Sequence, residues 1–358
     1  MIQKARVRIS TEFLLISLLT LFMAFGPAGA QTQGKPTTVA ELAAYRGADR
    51  EEILKAGAQK EGKVVWYTTL IAYKEISKIF ESKYPGVKVE AYRSNSTDLL
   101  KRFLSEAQAQ RHIVDAIETT PPTLMAGREA NLLAPYYSPH LKHYPDESKE
   151  DADGGNVLWT TDRESIIGLG FNTKLVSAAD APKSFDDLLK PEYKGKFAVS
   201  GDATGARIIG AMIKVKGEEF VKKLKAQEIK MHMISGGALQ ELLAAGEFPM
   251  SFSIFRNHVL VSQAKGAPTQ WRPLDLTVAN AGGAALPAHA NRPHAALLFI
   301  DFLISPDGQK ILEEKFRFAS SMKQYPFKRW YPEKGLTIAQ FEKQFNHWQK
   351  LTRQIARR

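Results

Sequence analysis

The feature that most constrains this fold is an alternation of short apolar strands and amphipathic helices between residues 63 and 120. Strands are predicted at 63–67, 87–92 and 113–117, and a helix with one apolar face lies between each pair. Parallel strands joined by helices place their carboxyl ends at one edge of a sheet, where ligands bind. The pattern therefore predicts an α/β fold with a binding crevice at that edge.

Polar side chains follow all three of these strands. Each one alone is an ordinary turn or capping residue, which is the simpler interpretation. Their recurrence at three strand ends instead predicts the wall of a polar pocket. The candidate ligand-binding residues are Thr68, Thr69, Asn95 and Thr120.

Residues 197 to 215 predict another strand, a tight turn and a helix. The first turn of a helix presents free N–H groups and the positive end of the helix dipole, so it can receive an anion. Thr204 and Gly205 stand at this helix start, although Thr204 has the simpler alternative role of a helix cap. Further strands and helices follow, with the turn at Ser235 between two of them, and together they predict a second α/β lobe.

The first thirty residues have the pattern of a cleavable signal peptide. They combine a basic start, an apolar run at 13–25 and the small-residue cleavage site Ala28-Gly29-Ala30. The chain contains no cysteine, which excludes a disulfide, a thiol nucleophile, a cysteine-ligated metal and a lipoprotein anchor. We expect a soluble periplasmic protein of a Gram-negative bacterium.

The net charge of +11 is concentrated in the tail. Nine basic and two acidic residues fall at 323–358, and the first thirty residues contribute +2, which leaves only +2 for residues 31–322. A nucleic-acid-binding domain would need a clustered basic face with interleaved aromatic residues. We therefore expect no nucleic-acid partner. The apolar residues of the tail recur at helical spacing, which predicts an amphipathic helix docked on the body or, as the alternative, on a membrane surface.

Several segments, in this order along almost the whole chain after residue 30, resemble the extracellular solute-binding proteins of ABC importers. The resemblance is to the group of periplasmic ferric-iron binders and their relatives for phosphorylated or phosphonate solutes. The segments that carry it are EGKVVWYTT (61–69), FESKYPGVKV (80–89), NLLAP (131–135), GFNT (170–173), LLKPEYKGK (188–196) and ALLFIDFLISPDGQKIL (296–312).

This resemblance implies a type 2 periplasmic binding protein, with two α/β lobes joined by crossing hinge strands and a ligand cleft between them. Lobe 1 is expected at 31–164 plus 277–322, lobe 2 at 165–276, and the basic amphipathic tail at 323–358. A strand at 276–286, interrupted by Gly282-Gly283, is predicted to cross back between the lobes. The resemblance also implies a monomer that delivers its solute to an inner-membrane ABC permease.

The ferric binders hold iron chiefly through two adjacent tyrosines, helped in some members by a histidine and an acid. The matching positions here are Ser253-Ile254-Phe255, Ile71 and Thr120, so the resemblance implies that the iron ligands are missing. The groups that handle an anion in those relatives are retained, namely Thr204-Gly205-Ala206 at the helix start and Arg163.

These residues predict a small organic anion of carboxylate, phosphate or phosphonate type as the solute. Arg163 offers a planar fork of donors to such a group, and Arg256 is a second candidate. Phe255 is a candidate for stacking on the ligand, with a core position as the simpler alternative.

Two other functions remain open from the sequence. The first is transport of ferric iron through an exogenous chelator or anion. The second is a secreted enzyme on the same scaffold, which the sequence does not favour because it contains no H-E-x-x-H, phosphate-binding loop or G-x-S-x-G motif. We expect no enzyme activity and no cofactor.

Overall fold

The computed structural model describes residues 35 to 357. The predicted signal peptide lies outside these residues. No helix within the described part is both long and apolar enough to cross a membrane. Pro36 to Arg357 belong to one compact unit of mixed α/β structure, which confirms the predicted α/β class.

Thirteen strands form the sheet, and twelve α-helices pack around it in the described chain. The strands are β1 (Lys63–Thr68), β2 (Lys88–Arg93), β3 (Ala116–Thr119), β4 (Leu133–Ala134), β5 (Lys149–Ala152), β6 (Asn156–Asn172), β7 (Phe197–Ser200), β8 (Ile229–His232), β9 (Met250–Phe255), β10 (Thr269–Arg272), β11 (Thr277–Pro287), β12 (Arg329–Trp330) and β13 (Ala356–Arg357). The helices are α1 (Val39–Ala44), α2 (Arg50–Glu61), α3 (Tyr73–Lys83), α4 (Ser96–Gln108), α5 (Pro121–Glu129), α6 (Ala203–Lys216), α7 (Glu218–Lys223), α8 (Gly236–Ala245), α9 (Arg256–Ala264), α10 (Pro293–Ile304), α11 (Pro306–Phe316) and α12 (Ile338–Ile355).

The main path of the sheet runs β13-β8-β7-β9-β6-β11-β3-β1-β2. The pairs β1–β2, β1–β3, β7–β8 and β7–β9 are parallel, as the alternation of strands and helices predicts. The two long strands β6 and β11 lie antiparallel in the middle and join the two parallel parts. Strand β11 continues without a break through Gly282 and Gly283, so the predicted interruption is wrong, but its register against β6 shifts between these two glycines. The residue limits of the two lobes stay a prediction.

Two large apolar clusters flank the sheet. In one of them Trp66 and Phe80 each pack on Phe299, at ring-centre distances of 4.8 and 4.9 Å. Burial of such rings is a main source of stability because each removes a large apolar area from water. Beside this cluster Arg50 of α2 forms a buried ion pair with Asp301 of α10.

The predicted tail helix is α12, and it docks on the body. Its buried face packs against α6, where the Trp348 ring lies so close to Gly210 that a Cβ atom there would be 2.8 Å from the ring. After the helix, β13 pairs in parallel with β8 and covers that edge of the sheet. The docked interpretation of the tail is therefore confirmed.

Two local details of the fold have identifiable causes. Helices α1 and α2 are separate, because the Tyr45 hydroxyl donates to Asp49 at 2.7 Å and the ring covers Gly47. Strand β3 begins at Ala116 instead of 113. The carboxylate of the preceding Asp115 accepts the backbone N–H of Val65 at 2.8 Å, so regular pairing of the strands starts only after it.

Candidate functional site

A cavity of about 700 Å³ opens beside the carboxyl end of β1. Its wall is formed by the turn after β1, the start of α3, the central strands β6 and β11, the β9–α9 junction and the end of α11. The residues that line it are Thr69, Leu70, Ile71, Ala72, Lys74, Glu75, Arg163, Ser165, Phe255, Asn257, His258, Val261, Asn280, Lys315, Phe316 and Phe318. The site therefore lies where parallel strands end, as the sheet topology predicts.

The floor of the cavity comes from alternating residues of the two central strands. Arg163 and Ser165 of β6 point to the same face, because side chains alternate along a strand. In the register of the sheet Ser165 lies opposite Asn280, and Arg163 lies opposite Gly282. The floor is therefore polar, with one guanidinium, one hydroxyl and one amide.

Arg163 is held by a buried network. Its Nη2 atom lies 2.9 Å from Glu118 Oε1 and donates to Thr69 Oγ1 at 3.1 Å. The other carboxylate oxygen of Glu118, Oε2, accepts from the Thr68 hydroxyl at 2.5 Å and from the Thr69 amide at 3.1 Å. Glu118 is fully buried and the Arg163 side chain is 8% exposed. The pair is thus shielded from solvent screening, and the guanidinium is fixed in place.

Gly282 makes room for this ion pair. A Cβ atom at position 282 would lie 2.4 Å from Glu118 Oε1 and 2.9 Å from Arg163 Cζ. These distances are shorter than van der Waals contact. The two side chains therefore rest directly on the β11 backbone, and a larger residue there would displace them.

Buried polar atoms at the site lack protein partners among the described residues. They are Arg163 Nε, Asn257 Oδ1, His258 Nδ1 and Glu118 Oε1, the last of which contacts Arg163 without a hydrogen-bond alignment. Burial lowers the pKa of His258, so the ring is neutral at neutral pH. Unpartnered buried polar groups are costly in a folded protein. A polar ligand group is one partner that would satisfy them.

Asp162 precedes Arg163 on β6, at the point where the register against β11 shifts. It is fully buried, and neither carboxylate oxygen has a hydrogen-bond partner within residues 35–357. Burial, and then the charge of Glu118, raise the pKa of Asp162 well above its usual value.

Three of the eleven predicted ligand-binding residues, Thr69, Arg163 and Phe255, line this one cavity. Thr68 lies behind it and contacts Glu118. The others have local partners elsewhere. Asn95 caps α4, Thr120 donates to Ser96, Ser235 caps α8, Arg256 lies over the Tyr325 ring, and Thr204, Gly205 and Ala206 begin α6.

The start of α6 is capped by Asp202, which corrects the expectation that Thr204 is the cap. The Asp202 carboxylate accepts the Thr204 amide at 2.7 Å and the Ser200 hydroxyl at 2.5 Å. Gly205 lies against the strand before it, and a Cβ atom there would be 1.9 Å from Ser200 O. Helix capping and close packing therefore account for Asp202 and Gly205 without a ligand.

The sequence analysis did not identify Asn257, His258, Ser165 or Asn280 as site residues. The first two lie at the start of α9, directly after the candidates Phe255 and Arg256. Positions 257, 258 and 261 share one helical face, and that face lines the cavity. Within residues 35–357 no group of three or more His, Asp and Glu side chains is arranged to hold a metal ion.

Residues 75–334 match the family model of the bacterial extracellular solute-binding proteins. The match covers more than half of the chain, which therefore belongs to that family. The family is one of binding proteins, so the prediction of a binding protein rather than an enzyme is confirmed.

Two curated proteins are similar in sequence. An uncharacterized protein of Haemophilus influenzae is 24% identical over 72% of this chain and 77% of its own length. An Fe(3+)-binding periplasmic protein of Serratia marcescens is 26% identical over 66% of this chain and 72% of its own length.

Solved structures of binding proteins share the fold. Iron-bound HitA from Pseudomonas aeruginosa aligns with a TM-score of 0.64 at 23% identity, over 82% of this chain and 99% of HitA. AfuA from Actinobacillus pleuropneumoniae, with fructose-6-phosphate bound, aligns with a TM-score of 0.63 at 21% identity, over 82% of this chain and 99% of AfuA. The prediction of the type 2 periplasmic binding fold is confirmed.

Proposed function

We propose that this protein is the periplasmic component of an ABC importer and captures a small organic anion. The observation that carries the proposal is the 700 Å³ cavity, in which the buried Arg163 lies among hydroxyl and amide groups. Cavities of about 300–1,000 Å³ are typical sites for small organic ligands. The signal-peptide pattern supports export, and family membership supports solute capture.

The charge of the cavity supports an anion. Its lining contains three cations, Lys74, Arg163 and Lys315, and one carboxylate, Glu75. Glu118 neutralises Arg163 from behind, and Glu75 pairs with Lys315 at 2.9 Å. After these two pairs are counted, the lining keeps one net positive charge, that of Lys74. A net charge of +1 complements a singly charged anion.

Ferric iron carried with a chelator is the second candidate, favoured by the names of the Serratia marcescens relative and of iron-bound HitA. A bare ferric ion requires several anionic oxygen ligands, whereas most groups in this lining are apolar, hydroxyl or amide. A ferric complex would therefore bind here through its organic chelator. We expect the solute to be passed to an inner-membrane permease by a monomeric protein.

Calorimetric titration of the protein with organic carboxylates, phosphates, phosphonates and ferric citrate tests this proposal. The informative variant is Arg163→Lys, which keeps a positive charge beside Glu118 but loses the planar fork. Loss of one charge-assisted hydrogen bond costs about 1.5–3 kcal/mol, so the affinity for the anion is expected to fall about 10- to 100-fold.

Arg256→Lys is the matched control, because Arg256 lies outside the cavity. This substitution is expected to leave the affinity for the anion unchanged. Binding that is equally strong in Arg163→Lys would contradict the assigned site. Failure of every organic anion to bind would contradict the function itself.

A further inference from the structure

The walls above the polar floor are aromatic and apolar. Phe255 comes from the end of β9, and Phe316 and Phe318 come from the end of α11 and the residues after it. These residues come from two elements far apart in sequence, β9 and α11, which both contribute to the lining of the cavity. Planar rings that face a cavity from two sides form a slot suited to a flat ligand, since aromatic groups pack in offset-stacked or edge-to-face arrangements.

Phe255 is closely packed by its neighbours. Its ring packs directly on Gly236, where a Cβ atom would be 2.6 Å from the ring, and meets the His258 ring in an edge-to-face arrangement at a ring-centre distance of 5.1 Å. A side chain held in this way loses little conformational freedom when a ligand binds. Phe255 is therefore suited to form a rigid wall of the cavity.

Phe318 also lines the cavity, and the guanidinium of Arg163 lies over its ring, with the Cζ atom 5.4 Å from the ring centre. This cation–π contact places the carboxylate-binding group at the edge of an aromatic wall. A ligand that pairs its acidic group with Arg163 would thus bring its remaining atoms alongside the phenylalanine rings.

The mouth of the cavity is also apolar in part. Ile71 lies in the turn after β1 and is 80% exposed, and Val261 on α9 is 37% exposed. Large exposed apolar side chains next to a binding cavity commonly mark a surface that is covered when a partner is bound. Here they extend the apolar wall from the floor to the opening.

Resting on the proposed function, we propose that the solute is an aromatic monocarboxylate, whose carboxylate meets Arg163 and whose ring system fills the slot between Phe255 and the two phenylalanines of the α11 end. A sugar phosphate suits this lining poorly. Its double charge would exceed the single excess positive charge of the site, and those of its hydroxyl groups that lie against the phenylalanine rings instead of the polar floor would lack partners.

The affinities of the protein for 2-naphthoate, benzoate, cyclohexanecarboxylate and glucose 6-phosphate, measured by calorimetry, test this inference. The expected order is 2-naphthoate tightest, then benzoate about 10-fold weaker, and cyclohexanecarboxylate weaker than benzoate, since it has equal charge and similar size but no aromatic face. Glucose 6-phosphate is expected to bind weakest. Ferric citrate is titrated in parallel.

Two variants connect the ligand preference to the wall. Phe255→Leu is expected to weaken 2-naphthoate binding about 10-fold and to change acetate binding little. Gly236→Ala, which displaces the Phe255 ring, is expected to act in the same direction. Phe345→Leu, in a half-buried phenylalanine of α12 outside the cavity, is the control and should change neither affinity.

Tighter binding of glucose 6-phosphate than of 2-naphthoate would overturn the aromatic class while leaving the proposed capture of an organic anion in place. Equal affinities for cyclohexanecarboxylate and benzoate would overturn it as well. Binding of ferric citrate alone, with no affinity for any other organic anion, would overturn both this inference and the proposed function.

Discussion

The ion pair between Arg163 and Glu118 gives the most detailed prediction. The two charged groups are 2.9 Å apart, with Glu118 fully buried and the Arg163 side chain 8% exposed. At an effective dielectric constant of about 20, charges at this separation attract each other by about 6 kcal/mol. Loss of hydration on burial offsets part of that attraction, so the pair as a whole contributes less.

Removing one partner leaves the other charge buried and unpaired. We expect Arg163→Met to lower the free energy of unfolding by about 3–5 kcal/mol, the usual cost of breaking a buried pair. Glu118→Gln also breaks the pair, but its amide oxygen can still accept the Thr69 amide, so a smaller loss is expected. The double variant removes both charges and is expected to be more stable than the sum of the two single losses by about 1–3 kcal/mol.

Urea unfolding of the wild type, both single variants and the double variant measures this coupling energy. The cycle is repeated with Arg256→Met in place of Arg163→Met as a control, because Arg256 lies over Tyr325 instead of contacting Glu118. The control cycle should be additive to within about 0.5 kcal/mol. Additivity of the Arg163 cycle to the same precision would refute the inference that Glu118 holds Arg163 in the site.

Three further predictions concern other parts of the chain. Gly205→Ala should lower the urea midpoint, because its Cβ atom would be 1.9 Å from the backbone oxygen of Ser200, and an unchanged midpoint would contradict the packing role of this glycine. Burial raises the pKa of Asp301 from 3.8 to about 6. The native state then keeps a proton that the unfolded chain has lost, so the free energy of unfolding should fall by about 2 kcal/mol as the pH rises from about 4 to 6. Asp301→Asn should flatten this part of the stability profile, and an equally steep profile would exclude Asp301 as its source. Gly210→Ala should displace the Trp348 ring, exposing the indole and shifting its fluorescence to longer wavelength, whereas an unshifted spectrum would contradict the docked position of α12.

Local patterns were sufficient to predict much of the fold. Apolar runs followed by amphipathic helices placed β1 and β2 to within a residue or two. These signals depend on neighbours in sequence, such as the cap of a helix or the period of a strand. The double glycine in β11 likewise marked the irregular point of the central strand pair.

The site was less predictable because it depends on contacts between distant residues. Glu118 comes directly after the strand predicted at 113–117, and only the pairing of β3 with β11 brings it beside Arg163 and Gly282. At the start of α9 it was difficult to predict from the sequence which residues of the helix face the cavity. Arg256 was selected for its charge, but the next residue, Asn257, is rotated by about 100° on the helix and faces the cavity.

The proposed function requires that the cavity around Arg163 holds an organic anion. Native mass spectrometry combined with elemental analysis, on protein purified from its native host without refolding, tests this directly. We expect a bound organic acid in the wild type, less of it in Arg163→Lys, and no stoichiometric metal. Stoichiometric iron without any organic anion would contradict the claim.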